Sequence, residues 1–266
     1  MSQILTIANQ KGGVGKTTTS VNLAASLATY GKRVLLVDMD PQGNATMGSG
    51  VDKSRLDDSV YEVIIGQIPV EQGIRSLPEC GYDILPANRN LTAAEVELLK
   101  LPNKESRLRH ALLRVSNTYD YIIVDCPPSL SMLTVNALVA CDGVIIPMQC
   151  EYYALEGLSD LMSTIRRIAK LLNPRLRVEG ILRTMYDPRN SLTNEVTAQL
   201  HQHFGDRVYR ISIPRNVRLA EAPSYGKPAL VYDRHSKGAV AYLGLAGEMI
   251  RRRKRAGAAG RQATGS

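Results

Sequence analysis

The sequence predicts an α/β fold: a single domain on a mostly parallel, twisted sheet with helices on both faces. Three observations lead there. Apolar runs of strand length recur along the chain and alternate with stretches of helical periodicity. Those runs lack the in–out alternation of a half-exposed strand, so both faces of the sheet are to be covered. The 266 residues are 44% apolar, enough to fill one large core.

Ile4 to Ala8 is the first strand-type run and stops at Asn9. Lys11, Gly12, Gly13, Val14, Gly15, Lys16, Thr17 and Thr18 follow, then an amphipathic helix over Ser20–Ala28 that ends near Gly31. Arg33 to Asp38 is a second buried strand, and Met39–Gly50, rich in Gly, Asn and Pro, is a loop. Helices are expected over 59–65 and 91–115, with a short strand at Tyr82–Leu85 between them. Tyr121–Asp125 is the third buried strand, followed by Cys126-Pro127-Pro128-Ser129, and Gly143–Met148 the fourth. A long helix covers Leu155–Leu172, a fifth strand Val178–Met185, and further helices Leu192–His203 and Ala239–Arg253. No repeat or break in composition marks a second domain. The folded domain is expected over 1–253, with 254–266 a basic tail that turns to Ala, Gly, Ser, Thr and Gln and is expected to be disordered.

The first strand, the glycine-rich turn and the helix start make an anion site. Glycines let backbone N–H groups close round an oxyanion, and the helix dipole favours its charge. Lys16 is placed to neutralise the outer phosphates of a nucleotide, and the Thr17 hydroxyl suits Mg²⁺. This is the phosphate loop of a P-loop NTPase with one departure. Gln10 stands where the ordinary pattern has its first glycine, and a second lysine, Lys11, opens the loop. Ligands of such sheets sit at the carboxyl ends of the strands, where Asp38, Asp40 and Asp125 fall. Asp125 ends an apolar strand and is placed to hold Mg²⁺ through water. If residues 38–40 are extended, Asp38 and Asp40 point the same way, toward metal and γ-phosphate; the competing reading is that one or both cap the loop.

These residues carry a resemblance. Lys-Gly-Gly-Val-Gly-Lys-Thr, Val-Asp-Met-Asp-Pro-Gln-Gly-Asn and Ile-Ile-Val-Asp-Cys-Pro-Pro-Ser match the deviant Walker-motif ATPases. Ile-Pro-Arg-Asn-Val-Arg-Leu-Ala-Glu-Ala-Pro-Ser, residues 213–224, narrows it to the ParA/Soj partition ATPases, with the match running from about residue 3 to residue 250. The phosphate loop at the very start of the chain is expected of the short, chromosomal type, without a helix-turn-helix extension. The resemblance implies that Lys11 reaches across an ATP-bound homodimer to the partner's phosphates, while Lys16 holds the β- and γ-phosphates. It makes Thr17, Asp40 and Asp125 the Mg²⁺ side of the site and Asp40 the residue that orients the attacking water. The loop after Asp40 resembles switch I, and Pro127–Ser129 the start of switch II. Pro214 and Asn216 match the adenine-contacting segment, with Met185 packing on the base. No Gln stands in the water-positioning place of a GTPase, so hydrolysis is expected to be slow, as suits a timer.

The charge of +8 is mostly terminal. Arg251, Arg252, Arg253, Lys254, Arg255 and Arg261 give +6 without an acid, leaving 8 − 6 = +2 for the rest, so the basic pI alone says little about nucleic acid. Residues 183–218 hold Arg183, Arg189, Arg207, Arg210, Arg215 and Arg218 against Asp187, Glu195 and Asp206, a net of 6 − 3 = +3. Arg189 and Arg218 match positions where the family's DNA-contacting arginines stand, and Arg183 and Arg215 are added to that surface. With no Trp and one Phe, base stacking is disfavoured against non-specific phosphate contact with double-stranded DNA. A ParB/Spo0J-type centromere-binding partner follows from the family alone.

No run reaches the roughly 18 apolar residues of a membrane span, and no signal pattern opens the chain, so a cytoplasmic, nucleoid-associated protein is expected. A MinD-like membrane-cycling ATPase is the alternative, but Arg251–Arg255 followed by Ala and Gly offers no wide apolar face, so stable membrane binding is not expected. Cys80, Cys126, Cys141 and Cys150 have no C-x-x-C spacing and read as buried thiols; an iron–sulfur ATPase would have used Cys126 and Cys150. His110, His201, His203 and His235 are scattered and read as no ligand.

Overall fold

The computed structural model describes residues 2–263. Seven strands, β1 Gln3–Ile7, β2 Val34–Asp38, β3 Arg75–Leu77, β4 Tyr82–Leu85, β5 Tyr121–Asp125, β6 Gly143–Met148 and β7 Arg177–Arg183, form one sheet in the order β3-β4-β2-β5-β1-β6-β7. All neighbours are parallel except β3 against β4. The helices are α1 Lys16–Thr29, α2 Asn44–Gly48, α3 Val60–Ile65, α4 Val70–Gly73, α5 Leu91–Glu97, α6 Arg107–Val115, α7 Met132–Ala140, α8 Ala154–Leu171, α9 Ser191–Phe204, α10 Val217–Glu221, α11 Ala229–Tyr232 and α12 Lys237–Ala263.

The unalternating apolar strands are explained by two cores. Ile4, Leu35, Ile122, Val144 and Ile146 pack toward α6, α7 and α8. Leu5, Ile7, Leu36, Ile123 and Ile145 pack toward α1 and α12 on the other face. The inner strands β1, β2, β5 and β6 therefore hide both sets of side chains, the arrangement a parallel sheet requires.

The strand boundaries at Tyr82–Leu85, Tyr121–Asp125 and Gly143–Met148 are those expected from the sequence. Elsewhere the structure corrects them. The single helix expected over 91–115 is two, broken between Lys100 and Arg107, where Pro102 and a left-handed Asn103 interrupt it. α1 starts at Lys16, one turn earlier than the apolar pattern, because its first turn faces the anion site rather than the core. α7 escaped the sequence because it is buried almost all round and so shows no polar face. The β3 pairing adds an antiparallel edge to the parallel sheet. The domain boundary expected at 253 falls inside α12, which continues to Ala263; residues 264–266 of the expected tail lie outside the described residues.

Register decides what meets at the carboxyl edge. Ile7 pairs with Asp125, and Asp38 pairs with Asp125. β1 is flanked by β5 and β6, with the chain moving left to β2 and right to β6 and β7, so the order reverses beside it. This is the switch point at which open α/β sheets bind ligands.

Candidate nucleotide and phosphate site

The loop between β1 and α1 turns on two glycines in the left-handed region, Gly13 at φ 74° and Gly15 at φ 84°. A side chain at either position would strain the backbone. Val14 is buried between them, and its carbonyl accepts a hydrogen bond from Thr184 Oγ1 at 2.9 Å. Lys16 opens α1, is only 7% exposed, and donates from Nζ to the Lys11 carbonyl at 2.9 Å. Burial pushes its ammonium below the usual lysine range, opposed by the nearby charges of Asp125 and Asp40. Lys11 points elsewhere: its Nζ meets Glu151 Oε2 at 2.6 Å on the surface.

The acids divide in role. Asp125 is fully buried and accepts from Thr17 Oγ1 at 2.8 Å and Ser20 Oγ at 2.7 Å, which ties the first turn of α1 to the end of β5. Burial and then the neighbouring Asp38 push its carboxyl up to about 8, against those two hydrogen bonds. Asp38 is also fully buried, and burial pushes it up to about 6. It accepts from Asp40 N at 3.1 Å, Thr46 N at 2.8 Å and Thr46 Oγ1 at 2.7 Å. Asp38 is thus spent on closing the loop, and of the two readings for residues 38–40 the cap is the one found there. Asp40 accepts from Gln42 N at 2.9 Å through Oδ1, and no hydrogen bond engages Oδ2 among the described residues.

Mg²⁺ fits this donor set. Three acids lie near one buried ammonium, Lys16, and burial drives the two fully buried carboxyls toward the protonated state. Thr17, Asp40 and Asp125 supply the hard oxygens Mg²⁺ prefers. No group of three His, Cys, Asp or Glu side chains closes into a metal cage among the described residues.

Beside the loop lies a cavity of about 250 Å³ lined by Gly15, Thr18, Thr184, Met185, Ile213, Pro214, Arg215, Asn216, Leu219, Ala220 and Tyr242. The structure thereby brings Met185, Pro214 and Asn216 to one place, next to the phosphate loop. Met185 stands at φ 49°, a left-handed conformation that costs a non-glycine residue about 1–2 kcal/mol. It is held there by Thr184 N to Met148 O at 2.9 Å on one side and Tyr186 N to Ile213 O at 2.9 Å on the other. Asn216 caps α10 through Oδ1, to Leu219 N at 3.3 Å. Tyr242 Oη shares a hydrogen bond with Thr19 Oγ1 at 3.0 Å, so α12 floors the cavity.

The expected arginine surface is only partly present. Arg183 is corrected: it is 7% exposed, its guanidinium donates to the carbonyls of Tyr209 and Arg210 at 3.1 Å each, and it lies over the Tyr186 ring. At the end of the edge strand β7, it is buried with its guanidinium turned onto backbone carbonyls rather than lying on an exposed surface. Arg189, Arg215 and Arg218 are exposed. Arg189 is clamped by Asp187 through two bonds of 2.9 and 2.8 Å, which hold Asp187 at about 2 with help from nearby Arg215. Arg218 pairs with Glu221 at 2.8 Å and Asp233 at 3.3 Å.

Several site residues were not singled out from the sequence: Ser20, Glu151, Thr184 and Tyr242. Ser20 had a signal, since it lies three residues after Thr17 on the same helix face. The others come from distant elements and had none. All four cysteines are buried free thiols, as expected.

A family model for an AAA domain matches residues 2–178. The chain is 53% identical to the sporulation initiation inhibitor protein Soj of Bacillus subtilis, over 94% of this chain and 98% of that protein. It is 50% identical to the chromosome partitioning protein ParA of Caulobacter vibrioides, over 95% of each. Among solved structures it resembles cobyrinic acid a,c-diamide synthase of Mycobacterium smegmatis with bound ATP analogue and magnesium, at 37% identity and a TM-score of 0.84 over 96% of each chain. The synthase reaction in that name belongs to that protein; a shared fold does not transfer it. With a phosphate loop bearing two lysines, a Thr17–Asp125 link and a relationship that spans nearly the whole length, the chain belongs to the ParA/Soj family of partition ATPases.

Proposed function

We propose that the protein is a DNA-segregation ATPase whose ATP-bound homodimer holds non-specific double-stranded DNA and is reset by slow, Mg²⁺-dependent hydrolysis that a ParB/Spo0J-type partner stimulates. The observation that carries the chemical part is the Thr17–Asp125 hydrogen bond at 2.8 Å, with Lys16 and Asp40 beside it. It joins the hydroxyl of the phosphate helix to the acid of the neighbouring strand, the pair that organises Mg²⁺ and triphosphate in nucleotide hydrolases.

The residues divide the work. Backbone N–H groups of Gly12 to Thr18 and the α1 dipole bind the phosphates. Lys16, already desolvated, exchanges the Lys11 carbonyl for phosphate oxygens. Thr17, Asp40 and, through water, Asp125 would hold Mg²⁺, which when bound offsets charge on the β- and γ-phosphates. Asp40, anchored by one oxygen, has the other with which to orient or take a proton from the attacking water. Met185, Pro214 and Asn216 receive the adenine in the adjoining cavity. Lys11 supplies a cation in trans to the partner's phosphates, as an arginine finger does, which makes pairing of two chains depend on ATP.

Arg189, Arg215 and Arg218 form the DNA-facing surface, read through phosphates rather than bases. Dimerisation doubles that surface, so two weak patches act together. The reading places the protein on the nucleoid in the cytoplasm. Among the described residues no helix is long and apolar enough to cross a membrane.

An ATPase assay with DNA and partner added separately and together tests the reading. Stimulation greater by both than by the sum of each is the expected result. A rate indifferent to DNA and partner alike, or ATP-dependent pelleting with lipid vesicles without DNA binding, overturns it.

A further inference from the structure

We propose that Glu151 is a positioning residue for Lys11: in the single chain its carboxylate competes with nucleotide phosphate for the Lys11 ammonium, so two chains pair on ATP only by breaking this contact. The inference rests on the reading of Lys11 as the lysine that reaches a partner's phosphates.

Lys11 Nζ lies 2.6 Å from Glu151 Oε2, with the two side chains 48% and 51% exposed. Glu151 is 140 residues away in sequence, in the connection from β6 to α8. The two meet because the backbone on both sides is fixed. Asn9 Nδ2 donates to the Pro147 carbonyl at 2.8 Å, while Asn9 Oδ1 accepts from Lys11 N at 3.0 Å, so one side chain ties the start of the loop to the end of β6. Further along the same connection, the Gln149 amide contacts the Met185 thioether at the edge of the base cavity.

The two lysines of the loop therefore face different exchanges. Lys16 gives up a neutral carbonyl, at 2.9 Å, to bind phosphate. Lys11 gives up a full negative charge. A half-exposed ion pair shifts an equilibrium by only about 1.4- to 5-fold. That is too weak to lock the lysine and enough to raise the ATP and protein concentration at which chains pair. Both chains break the contact, so the effect on the dimer is squared, to about 2- to 30-fold.

The test is Glu151→Gln in the full chain, with dimerisation followed by sedimentation in a non-hydrolysable ATP analogue and Mg²⁺. The variant should pair about 2- to 30-fold more tightly than wild type at low salt. The gain should vanish near 1 M salt, where screening acts over about 3 Å; a packing effect would not follow salt in this way. Gln keeps the shape of Glu at a half-exposed position, and a thermal melt checks that the fold is intact. Pairing equal to or weaker than wild type at low salt overturns the proposal, as does a gain that persists at 1 M salt. Lys11→Ala separates the two readings. If it pairs as wild type does, the trans role of Lys11 falls. If it fails to pair while Glu151→Gln gains nothing, only the role of Glu151 falls. The double variant should show no gain over Lys11→Ala.

Discussion

The phosphate cradle and the arginine surface treat charge in opposite ways. In the cradle Asp38 and Asp125 are fully buried, Asp40 and Lys16 nearly so, and each is fixed by hydrogen bonds. On the surface Arg189 and Arg218 are each satisfied by carboxylates of their own chain, at full or half exposure. Burial makes the cradle rigid and costly, built in advance for one ligand. Exposure makes the surface cheap and exchangeable, since on the proposed function a duplex phosphate would replace a carboxylate at little cost. Chemistry is assigned to the first region and reversible attachment to the second.

The strongest way to break this contrast is Asp40→Ala. It should lower hydrolysis by about 10²- to 10⁴-fold while ATP binding and the ATP dimer persist; single-turnover rates beside nucleotide titration decide it, and normal turnover would mean that another group positions the water. Next is Arg183→Met, which tests whether burial rather than charge defines that residue. Leaving the Tyr209 and Arg210 carbonyls without a donor should cost about 2–4 kcal/mol of stability in urea unfolding, with the salt slope of DNA binding unchanged.

A third test uses pH. Asp38 and Asp125 hold protons more tightly in the folded chain than unfolded, where carboxyls lose them near the ordinary value of about 4. The cost of charging them in the fold is absent below that value, grows through about 6 and is complete above about 8. Nucleotide-free wild type should therefore lose stability from pH 5 to 8, and Asp125→Asn should lose about 1–3 kcal/mol less over the same range. Parallel melting curves for the two proteins would remove the assignment. The smallest effect is expected from Arg189→Glu or Arg218→Glu: about one unit less salt slope in DNA binding for each, with hydrolysis in the absence of DNA unaltered. An unchanged slope for both would take the surface away from DNA.

The cradle was the more legible region. Gly13, Gly15, Lys16 and Thr17 are contiguous, and a backbone that binds phosphate needs those residue types in that order. Asp125 was readable because it ends an unbroken apolar strand. Asp38 and Asp40 are two apart, and spacing alone could not say that Thr46 would claim one of them. Arg183 was misjudged because charge in a sequence carries no depth; it terminates β7, whose last turn of chain is covered by residues 209–210. Glu151 was silent, since nothing about a Glu before two tyrosines places it opposite Lys11.

By itself the sequence determined the strand–loop–helix unit, the parallel sheet and the family, because these rest on local residue order and on apolar runs that only a doubly covered sheet can bury. The tertiary structure alone decided that Thr46 engages Asp38 and leaves one oxygen of Asp40 without a hydrogen bond among the described residues, which arginine is buried, and that Lys11 is held by Glu151. Those outcomes depend on strand register and on contacts between elements up to 140 residues apart, where the energy of a charge is set by its depth and its neighbours rather than by its name.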